Sequence, residues 1–170
     1  MDESAFRSAR VTLAPQPCAF QNAMLAGVCD CPLAARRNIA ERESVACAAP
    51  AAREQCAQLC ALLRQNSAFA LKLAQVDGPL PHSKEMKVEC GGLLGVQRAI
   101  AATVPAADEA PAAGTPGQST VAAGERPSLA DVHRLVQACS RKFGGFAKLP
   151  YSIIVQSVVA FQIRRRRPVR

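Results

Sequence analysis

The chain is 170 residues long, which allows one domain or one domain with an appendage. Hydrophobic residues make up 49%, but aromatics only 4%, with no Trp and a single Tyr, so the expected core is small and built from Leu, Ile, Val and Phe. The formal charge of +8 lies late: residues 1–102 hold eleven Lys/Arg against nine Asp/Glu, and residues 103–170 hold ten against four, which describes a basic tail and excludes a wholly basic face.

Residues 1–17 read as an irregular leader, because Pro15 and Pro17 do not continue a helix. A short helix is expected from Cys18 to about Cys31, stopped near Gly27 and Pro32. Residues 33–47 read as a second helix with Arg36, Arg37, Glu41, Arg42 and Glu43 on its exposed side and Pro50 closing it. The clearest helix is 51–74, where Cys56, Leu59, Cys60 and Leu63 recur at helical spacing and make one apolar stripe. Asp77-Gly78-Pro79 and Pro81 predict a turn. Residues 84–90 fit a short extended segment or a helix lead-in, Gly91-Gly92 punctuates, and 93–102 is a further helix.

Residues 103–127 are dominated by Pro, Ala, Gly, Ser and Thr without hydrophobic period, which predicts a flexible linker. Ser128-Leu129-Ala130-Asp131 has the form of a capping box that starts a helix running to about Lys142, with Leu129, Val132, Val136 and Cys139 inward. Gly144-Gly145 stops it. Pro150 then suits the first turn of a last helix carrying Tyr151, Ile154, Val155, Val158 and Phe161. The same stretch is β-branched, so a strand is the alternative. The expected fold class is mainly α: a Cys-rich helical domain over 18–102, the linker, a C-terminal helical segment over 128–163 packing on the main domain, and an Arg-rich tail over 164–170.

Eight cysteines stand in the chain, seven of them between Cys18 and Cys90. Thiolates are soft anionic donors that suit zinc and iron–sulfur clusters. The spacing matches neither a C-x2-C zinc pattern nor a ferredoxin run, and the competing reading is a set of small buried hydrophobes. As metal ligands the sequence nominates Cys18, Cys29, Cys47 and Cys56, with Cys31, Cys60 and Cys90 in reserve. Cys139, across the linker, is assigned to the core.

The segment Pro81–Gly95 is dense in functional side chains, so His82, Lys84, Lys87, Gly91 and Gly92 form the candidate ligand loop. Arg164, Arg165, Arg166 and Arg167 form a candidate anion-binding tail for acidic protein surfaces, with nucleic acid as a partner through the tail only. No nucleophile–base pair stands out, so no catalytic residue is nominated. The most apolar stretch, 149–163, is too short and too interrupted to span a membrane. Asp2, Glu3, Arg7 and Arg10 precede any apolar run, so no secretory signal is expected and the expected compartment is a reducing cytoplasm. The functional expectation is a small iron–sulfur- or zinc-binding accessory protein acting in electron transfer or as a structural partner in a redox system. The alternative is a metal-free helical protein-interaction module with a basic tail.

Overall fold

Backbone pairing around residue 45 organises the N-terminal part of the fold. The computed structural model describes residues 16–39, 42–76, 78–103, 129 and 131–162. The leader up to residue 15, the linker stretch 104–128 with its Ser128 cap, and the Arg164–Arg167 tail lie outside the described residues. Helix α1 (Gln21–Leu25) is a single short turn followed by Gly27, whose φ of 68° suits a residue without Cβ.

The helix expected over 33–47 is instead an antiparallel pair, β1 (Ala34–Ile39) and β2 (Arg42–Cys47), with Arg36 opposite Val45. Its charges are not a helical face: Arg36 Nη1 meets Glu43 Oε1 at 2.9 Å across the two strands. Ala, Arg and Glu favour helix locally, so tertiary pairing decided the outcome. Gln16–Cys18 runs along the other edge of β2. There Cys18 N donates to Val45 O and Cys47 N to Gln16 O, both at 2.9 Å. A helix over 33–47 would leave those groups without partners, and β2 is the buried middle of three extended segments, with Ser44, Val45 and Ala46 all covered.

Pro50 opens the next element rather than closing the last one. Helix α2 (Pro50–Ser67) carries it in the first turn, where the missing N–H has no intrahelical partner to lose. The predicted stripe is inward: Leu59 and Leu63 are fully buried and Cys56 and Cys60 half-buried. Each such leucine contributes about 1.5–3 kcal/mol on leaving water. The helix ends at Ser67 rather than at 74, and Phe69 turns outward, 96% exposed.

The expected loop around Gly91-Gly92 is a helix. Helix α3 (His82–Met86), a π-helical turn (Lys87–Gly91) and α4 (Gly92–Ala102) follow without interruption. After residue 131 come α5 (Val132–Phe143), a 3-10 turn (Phe146–Lys148) and α6 (Tyr151–Ala160). The segment over 151–160 is therefore helical, with Ile154 and Val158 fully buried and Ile153 and Val159 on the outer side. The cap of α5 is Asp131, whose Oδ1 accepts from Arg134 N at 3.0 Å, and Gly144 ends the helix at φ 66°.

The glycines of the π turn and α4 allow close packing. A Cβ on Gly91 would stand 2.6 Å from Val158 Cα, and one on Gly95 3.0 Å from Ile154 Cα, both backbone atoms of α6. One continuous core joins Phe20 and Met24 of the α1 region, Leu59 and Leu63 of α2, Leu93 and Val96 of α4, Val136 of α5 and Ile154 of α6. Among the described residues no helix is long and apolar enough to cross a membrane.

Gly91→Ala tests this close approach. A backbone atom of α6 cannot rotate away, so the substitution is expected to cost about 1–3 kcal/mol despite alanine's better helix propensity. The readout is the urea midpoint, and an unchanged or raised midpoint refutes the contact.

Candidate functional site

Four cysteines from four segments line one cleft. Cys18 comes from the extended edge beside β2, Cys31 from the turn before β1, Cys47 from the end of β2 and Cys56 from α2. The cleft opens to solvent, and the space within it is small, about 20 Å³. Its walls are otherwise small and apolar, with Met24, Ala34, Ala46, Ala52 and Val132 among them. Two polar side chains join the thiols: Arg53, whose Nε donates to Pro17 O at 3.0 Å, and His133 of α5.

Each position has a local cause. Strand pairing of Cys18 and Cys47 with their neighbours sets both at the β2 edge. Cys56 lies on the inward side of α2, one helical turn before Cys60. Cys31 is held by the seam between Val28–Cys31 and the start of α5. Leu129 N donates to Val28 O, Asp30 N to Leu129 O and Val132 N to Asp30 O. The next amide, His133 N–H, lies near Cys31 and favours its thiolate. The thiol therefore occupies the N-terminal turn of α5, where helical N–H groups lack intrahelical partners and negative charge is favoured.

Burial dominates the electrostatics of the cleft. It pushes the Cys18 thiol up to about 11, and the neighbouring Cys31 and Cys47 add to the rise. Cys56 is pushed up to about 12 by burial, then by Cys18, Cys31, Cys47 and Cys60. The Cys31 thiol is raised by burial as well. Backbone amides oppose this: Phe20 N–H at Cys18, and Leu33 and His133 N–H at Cys31, each stabilise the thiolate. The neighbouring thiols thus add to the rise at Cys18 and Cys56.

The sequence-nominated ligands divide between two places. Cys18, Cys47 and Cys56 are brought together at the cleft, and the reserve Cys31 joins them. Cys29 is not a lining residue; it is buried behind them with Cys90, and burial raises both thiols. Cys60 is raised to about 12 by burial and by Glu89. Cys139 is fully buried in the core. All eight cysteines are free. Among the described residues, no three His, Cys, Asp or Glu side chains are arranged to hold a single metal ion.

Sequence reasoning missed two residues, His133 and Glu89. His133 is separated from the cysteines by 104–128, and no local signal in the sequence places it in the cleft. Glu89 is 5% exposed within the π turn. Its carboxylate accepts from Ala23 N at 3.0 Å and Asn22 Nδ2 at 2.8 Å. Burial nonetheless pushes it up to about 7, the two donors working against the shift and Glu85 with it. Arg64 pairs with Glu85 at 3.2 Å.

The candidate ligand loop does not form as a loop. His82 is exposed at the start of α3, while Lys84 Nζ and Lys87 Nζ donate to the carbonyls of Lys72 and Val159 at 2.9 and 3.0 Å. Gly91 and Gly92 are buried against α6 and Leu63, their backbone inside a continuous helix. The Arg164–Arg167 tail lies outside the described residues. No protein-family model, curated protein or solved structure matches this chain.

Glu89 makes stability depend on pH. Its folded value is raised, so the folded protein keeps a proton that the unfolded chain releases between about pH 4.5 and 7. Stability therefore falls as pH rises through that window and is flat above it. Between about pH 5 and about pH 8 the wild type is expected to lose on the order of 2–3 kcal/mol, and Glu89→Gln much less. Equal slopes in urea titrations of the two proteins would contradict a raised Glu89. In metal-free protein at about pH 8, alkylation of Cys56 should run about a hundredfold or more below that of free cysteine, because so little thiolate is present. Rapid labelling of Cys56 by peptide mass spectrometry would show that burial does not control it.

Proposed function

We propose that the protein is an iron–sulfur- or zinc-binding accessory protein whose bound group sits in the cleft lined by Cys18, Cys31, Cys47 and Cys56. The convergence of four thiols from four chain segments on one cleft carries this reading. It exchanges one nominated ligand, Cys29, for Cys31. Zinc and an iron–sulfur cluster are both groups that thiolates hold, and the reading covers either. The amides near Cys18 and Cys31 support it further, since hydrogen bonds to ligand sulfurs tune a bound metal or cluster. The small apolar walls keep the site in a low dielectric. The role that suits such a site is electron transfer, or structural support of a redox partner, in a reducing cytoplasm.

A second reading, a metal-free helical interaction module, is supported by exposed Phe69 and by Ile153 and Val159 on the outer side of α6. It predicts a partner whose binding survives cysteine substitution.

The deciding experiment is anaerobic purification with iron, zinc and sulfide assayed against protein. Stoichiometric zinc, or iron and sulfide with broad absorbance near about 400 nm, is expected. Cys56→Ser should lose the group, and Cys29→Ser should keep it at some cost in stability. Protein with no metal and eight freely titrating thiols would overturn the proposal in favour of the interaction module.

A further inference from the structure

We infer that the solvent face of α5 binds the phosphate backbone of a nucleic-acid duplex, without regard to sequence, through Arg134, Arg141 and Lys148. The inference is independent of what the cysteine cleft holds. Folding divides the charge of the chain unevenly. Residues 16–91 carry eight Lys/Arg against seven Asp/Glu, so the N-terminal part is nearly neutral. Residues 92–102 and 132–162 form α4, α5, the 3-10 turn and α6. They carry Arg98, Arg134, Arg141, Lys142 and Lys148 and no Asp or Glu. Soluble surfaces ordinarily intersperse both signs, and a field of one sign draws in a counter-charge.

The cations of α5 stand on one side of the helix. Leu135, Val136 and Cys139 are buried, whereas Arg134 and Arg141 are exposed and lie two helical turns apart on the opposite side. At 1.5 Å of rise per residue they are separated by about 10.5 Å along the axis. Lys148 returns to the end of the same helix, its Nζ 3.9 Å from where a Cβ on Gly144 would stand. Among the described residues no carboxylate pairs with any of the three. Asp131, the acid next in sequence, is engaged in capping Arg134 N. Lys142 and Arg98 stand at the flank and donate to Ile100 O and Ser157 Oγ at 2.9 and 3.1 Å.

What lies beside the cations selects the partner. Gln137, Ser140 and Ala147 are polar or small, and the face exposes no aromatic or large aliphatic side chain. It therefore has nothing to insert into a bilayer, to anchor in a protein pocket or to stack on unpaired bases. A duplex presents a phosphate about every 3.4 Å of axis on each strand, so the Arg134–Arg141 separation spans about three of them. The guanidinium fork bonds phosphate oxygens two at a time.

The test is fluorescence anisotropy of full-length protein with a labelled duplex DNA of about 20 base pairs, between about 50 and 200 mM salt. Binding is expected to fall steeply with salt and to be equal for a duplex of scrambled sequence. Arg134→Gln/Arg141→Gln should weaken binding about tenfold or more at low salt and lower the slope of log affinity against log salt by about 1.8. Its urea midpoint should match the wild type, because both side chains are exposed. Replacing Arg164–Arg167 by Gln should leave binding that Arg134→Gln/Arg141→Gln then removes. Binding lost with the tail arginines but unchanged in Arg134→Gln/Arg141→Gln would place the contact in the tail and overturn the inference. So would an absence of duplex binding at about 50 mM salt. Tighter binding at the same salt to vesicles of phosphatidylserine and phosphatidylcholine in equal parts, or to polyglutamate, would overturn it in favour of a membrane or an acidic protein.

Discussion

The seam between Val28–Cys31 and Leu129–His133 creates the cleft. Three backbone hydrogen bonds and one amide near a sulfur join stretches a hundred residues apart. Each satisfies a group that burial would otherwise leave without a partner, so the contacts hold as a set. They fix the Cys29-Asp30-Cys31 turn so that Cys29 goes into the core and Cys31 to the cleft wall. They also hold the first turn of α5 against the sulfur, bringing Val132 and His133 to the same wall.

Burial and charge oppose one another inside this frame. Burial raises the Cys18, Cys31 and Cys56 thiols, and neighbouring sulfurs add to the rise at Cys18 and Cys56. Amides at Cys18 and Cys31 pull in the other direction without reversing the balance. Raised thiols of this kind react slowly with alkylating agents, because little thiolate is present.

Packing behind the cleft depends on how closely two helices approach. Gly91 and Gly95 let the backbone of α6 lie against the π turn and α4, and Gly92 receives the Leu63 side chain of α2. The π turn adds a residue to the helical cycle and sets Glu89 inward, where it receives the Ala23 amide and Asn22 of α1. The carboxylate thereby ties α1, next to Cys18, to the central helix.

Much of the helical architecture was legible in the sequence because helices follow local rules. The period of Leu59 and Leu63 marked the buried side of α2, and Val132, Val136 and Cys139 that of α5. Gly144 in the left-handed region ended α5 where expected, and Ile154 and Val158 settled α6 as helix. The hairpin over 34–47 was not legible, since its Ala, Arg and Glu prefer helix and only pairing with Gln16–Cys18 makes strands the better solution. The same limit applied to the cleft. Cysteine density pointed to the segment whose thiols line the cleft, but Cys29 and Cys31 are alike in sequence and His133 stands far along the chain. Which thiol lines the cleft, and which histidine joins it, depends on long-range hydrogen bonds that no local period encodes; composition and periodicity determined the helices, and tertiary pairing alone decided the site.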